Sequence, residues 1–176
     1  MASRTWIKAH VACGVKTNIV TDARLTEAYG NDSPQFPELI KTTARTFQIR
    51  EVSADKAYSS RENLELVASY GGSAYIPFRS NASGKRRGSQ IWSKMYHLFM
   101  FSREEFLAHY HKRSNAETVF HMIKSKFGDA VRSKTKTAQI NEVLLKILCH
   151  NTCVVIQEMH ELGIEPKFCV ESAVDV

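Results

Sequence analysis

The amino-acid sequence predicts an α/β fold, a mixed sheet with helices on its faces, from the order in which extended and helical patterns follow one another. Short stretches rich in β-branched and aromatic residues open the chain, helix and strand patterns then alternate, and from Ile91 onward the pattern is mostly helical. With 176 residues, 43% of them hydrophobic, a single domain with a real core is expected.

Residues 5 to 12, TWIKAHVA, and 15 to 22, VKTNIVTD, flank Cys13-Gly14 and read as a hairpin. A third extended piece, ARLTEA, leads into YGNDSPQFPELI, where Asp32 or Ser33 caps and Pro34 occupies the first turn of a helix running to about Phe47. Ile49 to Ala54 form an apolar-rich strand that ends at Asp55. A helix from about Ser60 to Ser69 follows, with Leu64, Leu66 and Val67 on its core side and Gly71-Gly72 as its stop. SAYIPF is a further strand, and the small, basic RSNASGKRRGSQ is a loop. QIWSKMYHLFMF is helical, and Ser102 and Glu105 have the spacing of a capping box before the next helix. A last long helix, from about Thr137 to Leu162, is expected to turn Ile140, Val143, Leu144, Ile147, Leu148, Val154, Val155 and Met159 inward before Gly163 and Pro166 end it. Trp6 and Trp92 are expected in the core.

The formal charge of +6 is focused. Residues 79 to 94 hold Arg79, Lys85, Arg86, Arg87 and Lys94 without an acid, residues 109 to 136 hold another net +5, and the remainder sums to −4. Focused positive charge suits a polyphosphate partner, since neutralised phosphates release counterions; a solvated basic surface, with pI about 9.2, is the competing reading. No run of about 20 apolar residues and no signal peptide are present, so no membrane span and a cytoplasmic location are expected. The four cysteines are irregularly spaced and read as reduced thiols. Cys149-x3-Cys153 with His150 and His160 offers one zinc-like spacing, but structural zinc sites usually pair two such knuckles, so buried thiols are expected.

YHKRSNAETVFHMIK, residues 110 to 124, concentrates the chemistry. At about 100° per residue, Tyr110, Arg113, Glu117 and Lys124 fall within an arc of roughly 60° of one helix, opposite Ala116, Val119, Met122, Ile123 and Phe127. An ordinary amphipathic helix with an Arg113–Glu117 pair, worth a few tenths of a kcal/mol, satisfies this pattern as well. Asp55 adds a second acid where a strand gives way to KAYSS, either as a turn aspartate or at a sheet edge where side chains converge on a cleft. If the helix packs across that edge, Asp55 and Glu117 share a magnesium ion, because a hard cation takes carboxylate oxygens and keeps waters for substrate phosphates. Tyr110, Arg113 and Lys124 then contact the DNA backbone, with Lys85, Arg86 and Arg87 as a phosphate-binding loop. His109 and His111 crowd this helix, and His121 shares the Glu117 face.

The spacing Tyr110-x2-Arg113-x3-Glu117-x6-Lys124 resembles the Y-R-E-K signature of the DDE transposases encoded by bacterial and archaeal insertion sequences. SADKAYSS resembles the segment bearing that family's second catalytic aspartate, and LTEAYGNDSPQFPELI the connection before it, so the likeness covers roughly residues 5 to 160. The resemblance implies a ribonuclease-H-like fold over residues 1–165, with 166–176 as a tail. It also implies three acids holding two Mg2+ or Mn2+ ions for cleavage and strand transfer on double-stranded DNA. Matched by position, Asp55 is the second acid and Glu117 the third, with Tyr110, Arg113 and Lys124 in support. The family's first aspartate lies on a strand upstream of the segment matching TWIKAHVACGVKTNIV. A domain lacking that central strand and acid is therefore expected, with Asp22 and Asp32 the nearest substitutes. An absent central strand predicts unpaired strand edges, an apolar cavity and dimerisation through strand addition. A non-catalytic DNA-binding remnant is the competing reading.

Overall fold

The computed structural model describes residues 6–27, 32–85 and 87–165. Strands β1 (Ile7–Cys13) and β2 (Val20–Glu27) pair antiparallel from Ile7↔Glu27 to Cys13↔Val20, with a bulge at Ala12/Cys13. The turn between them is longer than the sequence suggests. Val15 to Ile19 have strand-like composition, yet Gly14 N donates to Ile19 O at 2.9 Å and Asn18 N to Gly14 O at 3.0 Å, with Asn18 at φ 57°. These bonds close a loop where a second strand was expected, and the ARLTEA piece becomes the body of β2. Asn can adopt the left-handed conformation that this closure needs.

Helix α1 (Phe36–Ala44) follows a single 3-10 turn, Ser33–Gln35, and buries Phe36, Leu39 and Ile40. Asp32 is not the side-chain cap expected; its carboxylate pairs with Lys8. Strand β3 (Glu51–Ser53), α2 (Arg61–Ser69) and β4 (Ser73–Tyr75) form a β-α-β unit in which β3 and β4 run parallel, Glu51 opposite Ser73 and Ser53 opposite Tyr75. Ser60 caps α2 by accepting from Asn63 N at 3.1 Å. Gly72 closes the unit where little else fits: a Cβ there would stand 3.0 Å from Ile49 Cγ2 and 3.2 Å from the Ile49 carbonyl.

The rest is helical: α3 (Gln90–Phe101), α4 (Arg103–Tyr110), α5 (Ser114–Phe127) and α6 (Lys136–Glu161). Ser89 caps α3 through Trp92 N at 3.1 Å, and Thr135 caps α6 through Ala138 N at 3.3 Å. Ser102 makes no side-chain cap, so the expected capping box does not form; its carbonyl accepts from Phe106 N at 3.0 Å.

Two apolar clusters result. The larger joins α1, α2, β3, β4, α3 and α4 around Leu64, Val67, Ile76, Phe78, Trp92 and Phe106. The smaller ties the hairpin to α5 and α6 through Val20, Val119, Ile123 and Ile147. Trp92 is buried as expected, whereas Trp6, just before β1, is 71% exposed. On α6 only a narrow stripe meets the body: Ile147, His150 and Val154 are buried, but Leu144, Leu148 and Val155 are not. Cys13, Cys149 and Cys153 carry free thiols, and Cys149 is exposed rather than buried.

The link from α5 to α6 is held by Glu142. Its carboxylate accepts from Arg132 N at 3.0 Å and Ser133 N at 2.9 Å, while Lys146 Nζ donates to Ala130 O at 2.8 Å. Hydrogen bonds from Ser133 and then Arg132 hold this carboxyl at about 2, far below the usual carboxylate range. A depressed value means a contribution that is complete above the ordinary range and fades as pH falls toward about 2. Glu142→Ala is expected to speed amide hydrogen exchange at Arg132 and Ser133 near neutral pH while leaving the α2 amides unchanged. Unaltered exchange at the first two would remove Glu142 from this role.

Candidate functional site

Asp55 sits just beyond β3, in extended conformation, where its carbonyl accepts from Tyr58 N at 2.9 Å to open a 3-10 turn over Lys56–Tyr58. The opposing wall departs from the sequence reading. Residues 110 to 124 are not one helix: α4 ends at Tyr110, His111–Arg113 form a 3-10 turn, and α5 starts at Ser114. The tighter turn places Arg113 at a joint between helices. Nevertheless Val119 and Ile123 are buried and Glu117 is exposed, so the two sides of α5 divide as expected.

A clamp of residues distant in sequence brings the strand end and the joint together. Ser53 Oγ donates to His109 O at 2.8 Å, and Glu51 accepts from Lys112 Nζ at 2.7 Å and meets His109 Nδ1 at 3.0 Å. Lys112 and then His109 hold the Glu51 carboxyl below its usual range. The His109 ring stacks on Tyr75 of β4, centroids 4.2 Å apart and planes 7° from parallel. Asn115 Nδ2 donates to Gly14 O at 3.0 Å, tying α5 to the hairpin turn. Sequence reasoning missed Glu51, Ser53 and Lys112, since their spacing to one another reveals nothing until β3 and α4 are packed. His109 was marked only as a neighbour of Tyr110.

Arg113 then joins the two predicted acids. Its Nη1 donates to Glu117 Oε1 at 2.7 Å, and its Nε donates to Tyr110 Oη at 2.8 Å while standing 3.2 Å from Asp55 Oδ1. A planar guanidinium touching both limits the two carboxyl groups to a separation of at most about 8 Å. Burial opposes the Arg113 charge, but Glu117, Asp55 and Tyr110 outweigh it, so its pKa is raised. Asp55 and Glu117 are 57% and 66% exposed and face solvent.

The other predicted residues are more scattered. Lys124 is exposed further along α5, and Lys85 and Arg87 are exposed on the loop before α3; Arg86 lies outside the described residues. Among the described residues none of these three shares a hydrogen bond or ion pair with Asp55 or Glu117. Asp22 pairs with Arg24 at 2.9 Å. Tyr58 is pushed up to about 12 by burial first, then by the charges of Asp32 and Asp55. Both acids therefore bear on one hydroxyl, which also meets His10 Nδ1 at 3.1 Å. Burial lowers the His10 pKa in turn.

No ladder joins β1 to β3 among the described residues. Between them lies a cleft of about 610 Å3, lined by Val11, Phe36, Leu39, Ile40 and Val52 and reaching Arg113. Among those residues no group of three or more His, Cys, Asp or Glu is arranged to hold a metal ion. Asp55 and Glu117 fit a divalent cation as an open pair of hard oxygen donors completed by water, not as a closed protein cage. Arg113 now supplies the cation that such a pair attracts.

No helix among the described residues is long and apolar enough to cross a membrane. No curated protein and no solved structure matches the chain. Residues 2–152, which span both acids, Arg113 and the cleft, match the family described as the transposase DDE domain. With most of its length inside that match, the chain belongs to the transposase DDE domain family.

Proposed function

We propose that this chain is the catalytic part of an insertion-sequence transposase, acting on double-stranded DNA by divalent-metal-dependent strand cleavage and strand transfer. The observation behind this reading is the convergence of Asp55 and Glu117 on Arg113, from elements 62 residues apart in sequence, on an exposed rim. Members of the family generally use a divalent metal. Mg2+ or Mn2+ bound here would neutralise charge that develops on a phosphodiester and favour a nucleophilic oxygen. Asp55 and Glu117 would hold and orient that ion. Tyr110 keeps the guanidinium of Arg113 aligned with the rim. Lys124, Lys85, Arg86 and Arg87 attract the DNA backbone, an electrostatic contribution that falls as salt rises.

The proposal extends to a ribonuclease-H-like sheet. An extended segment filling the cleft between β1 and β3, which no ladder joins among the described residues, would pair with both and unite the two small sheets into one, beside Asp55. Such a strand also offers a place for a third acid. A non-catalytic DNA-binding role requires only the basic surface, and an assay separates the two readings. The protein with supercoiled DNA and Mn2+ is expected to give nicked circles that chelation prevents and Asp55→Asn removes, with DNA binding retained and weakened by added salt. Equal nicking by wild type and Asp55→Asn would discard the site, and nicking indifferent to chelation would discard the metal.

A further inference from the structure

His10 is only 3% exposed although it lies on β1, the strand that borders the cleft, and both of its ring nitrogens are engaged. Its Nδ1 meets Tyr58 Oη at 3.1 Å, and its Nε2 meets Thr26 Oγ1 of β2 at 3.0 Å. A neutral imidazole has one donor and one acceptor nitrogen, and a hydroxyl can play either part, so both tautomers are satisfied here. Burial lowers the His10 pKa and pushes Tyr58 up to about 12, which keeps both groups neutral near pH 7. The contact is therefore an uncharged strut between two rigid rings.

The strut ends on the turn that carries Asp55. Tyr58 N donates to Asp55 O at 2.9 Å, Asn63 Nδ2 donates to Tyr58 O at 2.8 Å, and the Tyr58 ring leans on Phe36 with centroids 5.6 Å apart. Among the described residues, the contact with His10 is the one hydrogen bond between the hairpin and residues 54–59. No ladder joins β1 to β3 among those residues either, so the polar link from hairpin to turn is this side-chain contact. The Asp55 carboxylate is 57% exposed and pairs with Arg113, so its place depends on the backbone beneath it, which the turn sets. We propose that His10 is a positioning residue: by holding the Tyr58 hydroxyl it fixes the turn under Asp55 and thereby governs the metal-dependent step. The proposal rests on the reading of Asp55 as a metal ligand.

Two substitutions divide the ring. In His10→Asn the amide stands near the place of Nδ1 and still reaches Tyr58, whereas in His10→Gln it stands near that of Nε2 and reaches Thr26. Tyr58→Phe removes the hydroxyl and keeps the ring on Phe36. In Mn2+-dependent nicking, His10→Gln and Tyr58→Phe are each expected to lose roughly 10–100-fold in kcat, the range for a group supporting a metal ligand, with KM for DNA unchanged. His10→Asn should recover most of that loss, and adding His10→Gln to Tyr58→Phe should cost little more, because the two act through one contact. A second readout needs neither metal nor DNA. Amide hydrogen exchange at Tyr58 should quicken in His10→Gln and Tyr58→Phe and stay slow in His10→Asn. Equal losses in the Asn and Gln proteins mean that His10 only fills space, and they overturn the proposal. So does unaltered exchange at Tyr58 in both weakened proteins. Should a His10 variant not fold, Tyr58→Phe leaves no cavity, and its kcat and exchange decide alone. A wild type that does not nick DNA defeats the metal reading itself, while exchange at Tyr58 still judges the strut.

Discussion

Phe106→Ala is expected to lower the stability of this domain by about 3–5 kcal/mol, the range for emptying a buried aromatic site that cannot collapse. Phe106 has no exposed surface. Its ring meets Tyr75 at 5.6 Å, Phe99 at 5.0 Å and Tyr110 at 6.5 Å between centroids, so it joins β4, α3 and the end of α4. These are edge-on and stacked arrangements that add to simple burial. A domain of ordinary stability has only about 5–15 kcal/mol to lose, so the variant should melt roughly 10 °C lower or more. Urea titration of wild type, Phe106→Ala and Phe106→Leu checks the mechanism. Leu keeps most of the volume and should cost far less than Ala. If Ala and Leu cost the same, the loss is not a cavity, and the packing described around Phe106 is wrong.

The same ring explains why the site is sensitive to the core. Tyr75 carries the His109 stack, and Tyr110 holds Arg113, so Phe106 lies behind both supports of the joint. Loss of Phe106 should therefore loosen the clamp from Glu51 to Lys112 before the hairpin, whose own core rests on Val20, Val119, Ile123 and Ile147.

Local chemistry made part of this legible from sequence. The Gly71-Gly72 stop marked the end of α2, and the strand ending at Asp55 was marked by apolar residues giving way to a polar turn. The Arg113–Glu117 pair needed only helical spacing. What escaped depends on contacts between distant segments. Val15 and Val20 look alike as strand formers, and only the hydrogen bonds around Gly14 and Ile19 separate turn from strand. The 3-10 turn at His111–Arg113 arises where Lys112 and His109 are drawn to Glu51 of a strand some 60 residues earlier. Leu148 and Ile147 have equal claims to a core position by hydropathy, and only the docking angle of α6 decides between them. β1 and β3 both line the cleft, and among the described residues no ladder joins them, a relation that only the packing of the hairpin against α1 reveals.

Glu117→Gln is expected to reduce divalent-dependent DNA nicking by at least about a hundredfold, the scale on which loss of a metal ligand or its support acts. The substitution keeps the size of the side chain and leaves an amide oxygen that can still accept from Arg113 Nη1. Because Glu117 is 66% exposed, the melting temperature should stay within a degree or two, so lost activity cannot be assigned to unfolding. Arg113→Ala separates metal binding from the rest. A guanidinium and a divalent ion compete for the same two carboxylates, and one unit charge about 4 Å away is worth at least about 1 kcal/mol. Mn2+, followed by its paramagnetic resonance, should therefore bind Arg113→Ala roughly fivefold or more tightly than wild type, and Glu117→Gln more weakly. If all three proteins bind Mn2+ alike, the ion sits elsewhere, and the pairing of Arg113 with Asp55 and Glu117 is an ordinary surface network. If only Arg113→Ala gains affinity while Glu117→Gln is unchanged, Asp55 holds the ion without Glu117.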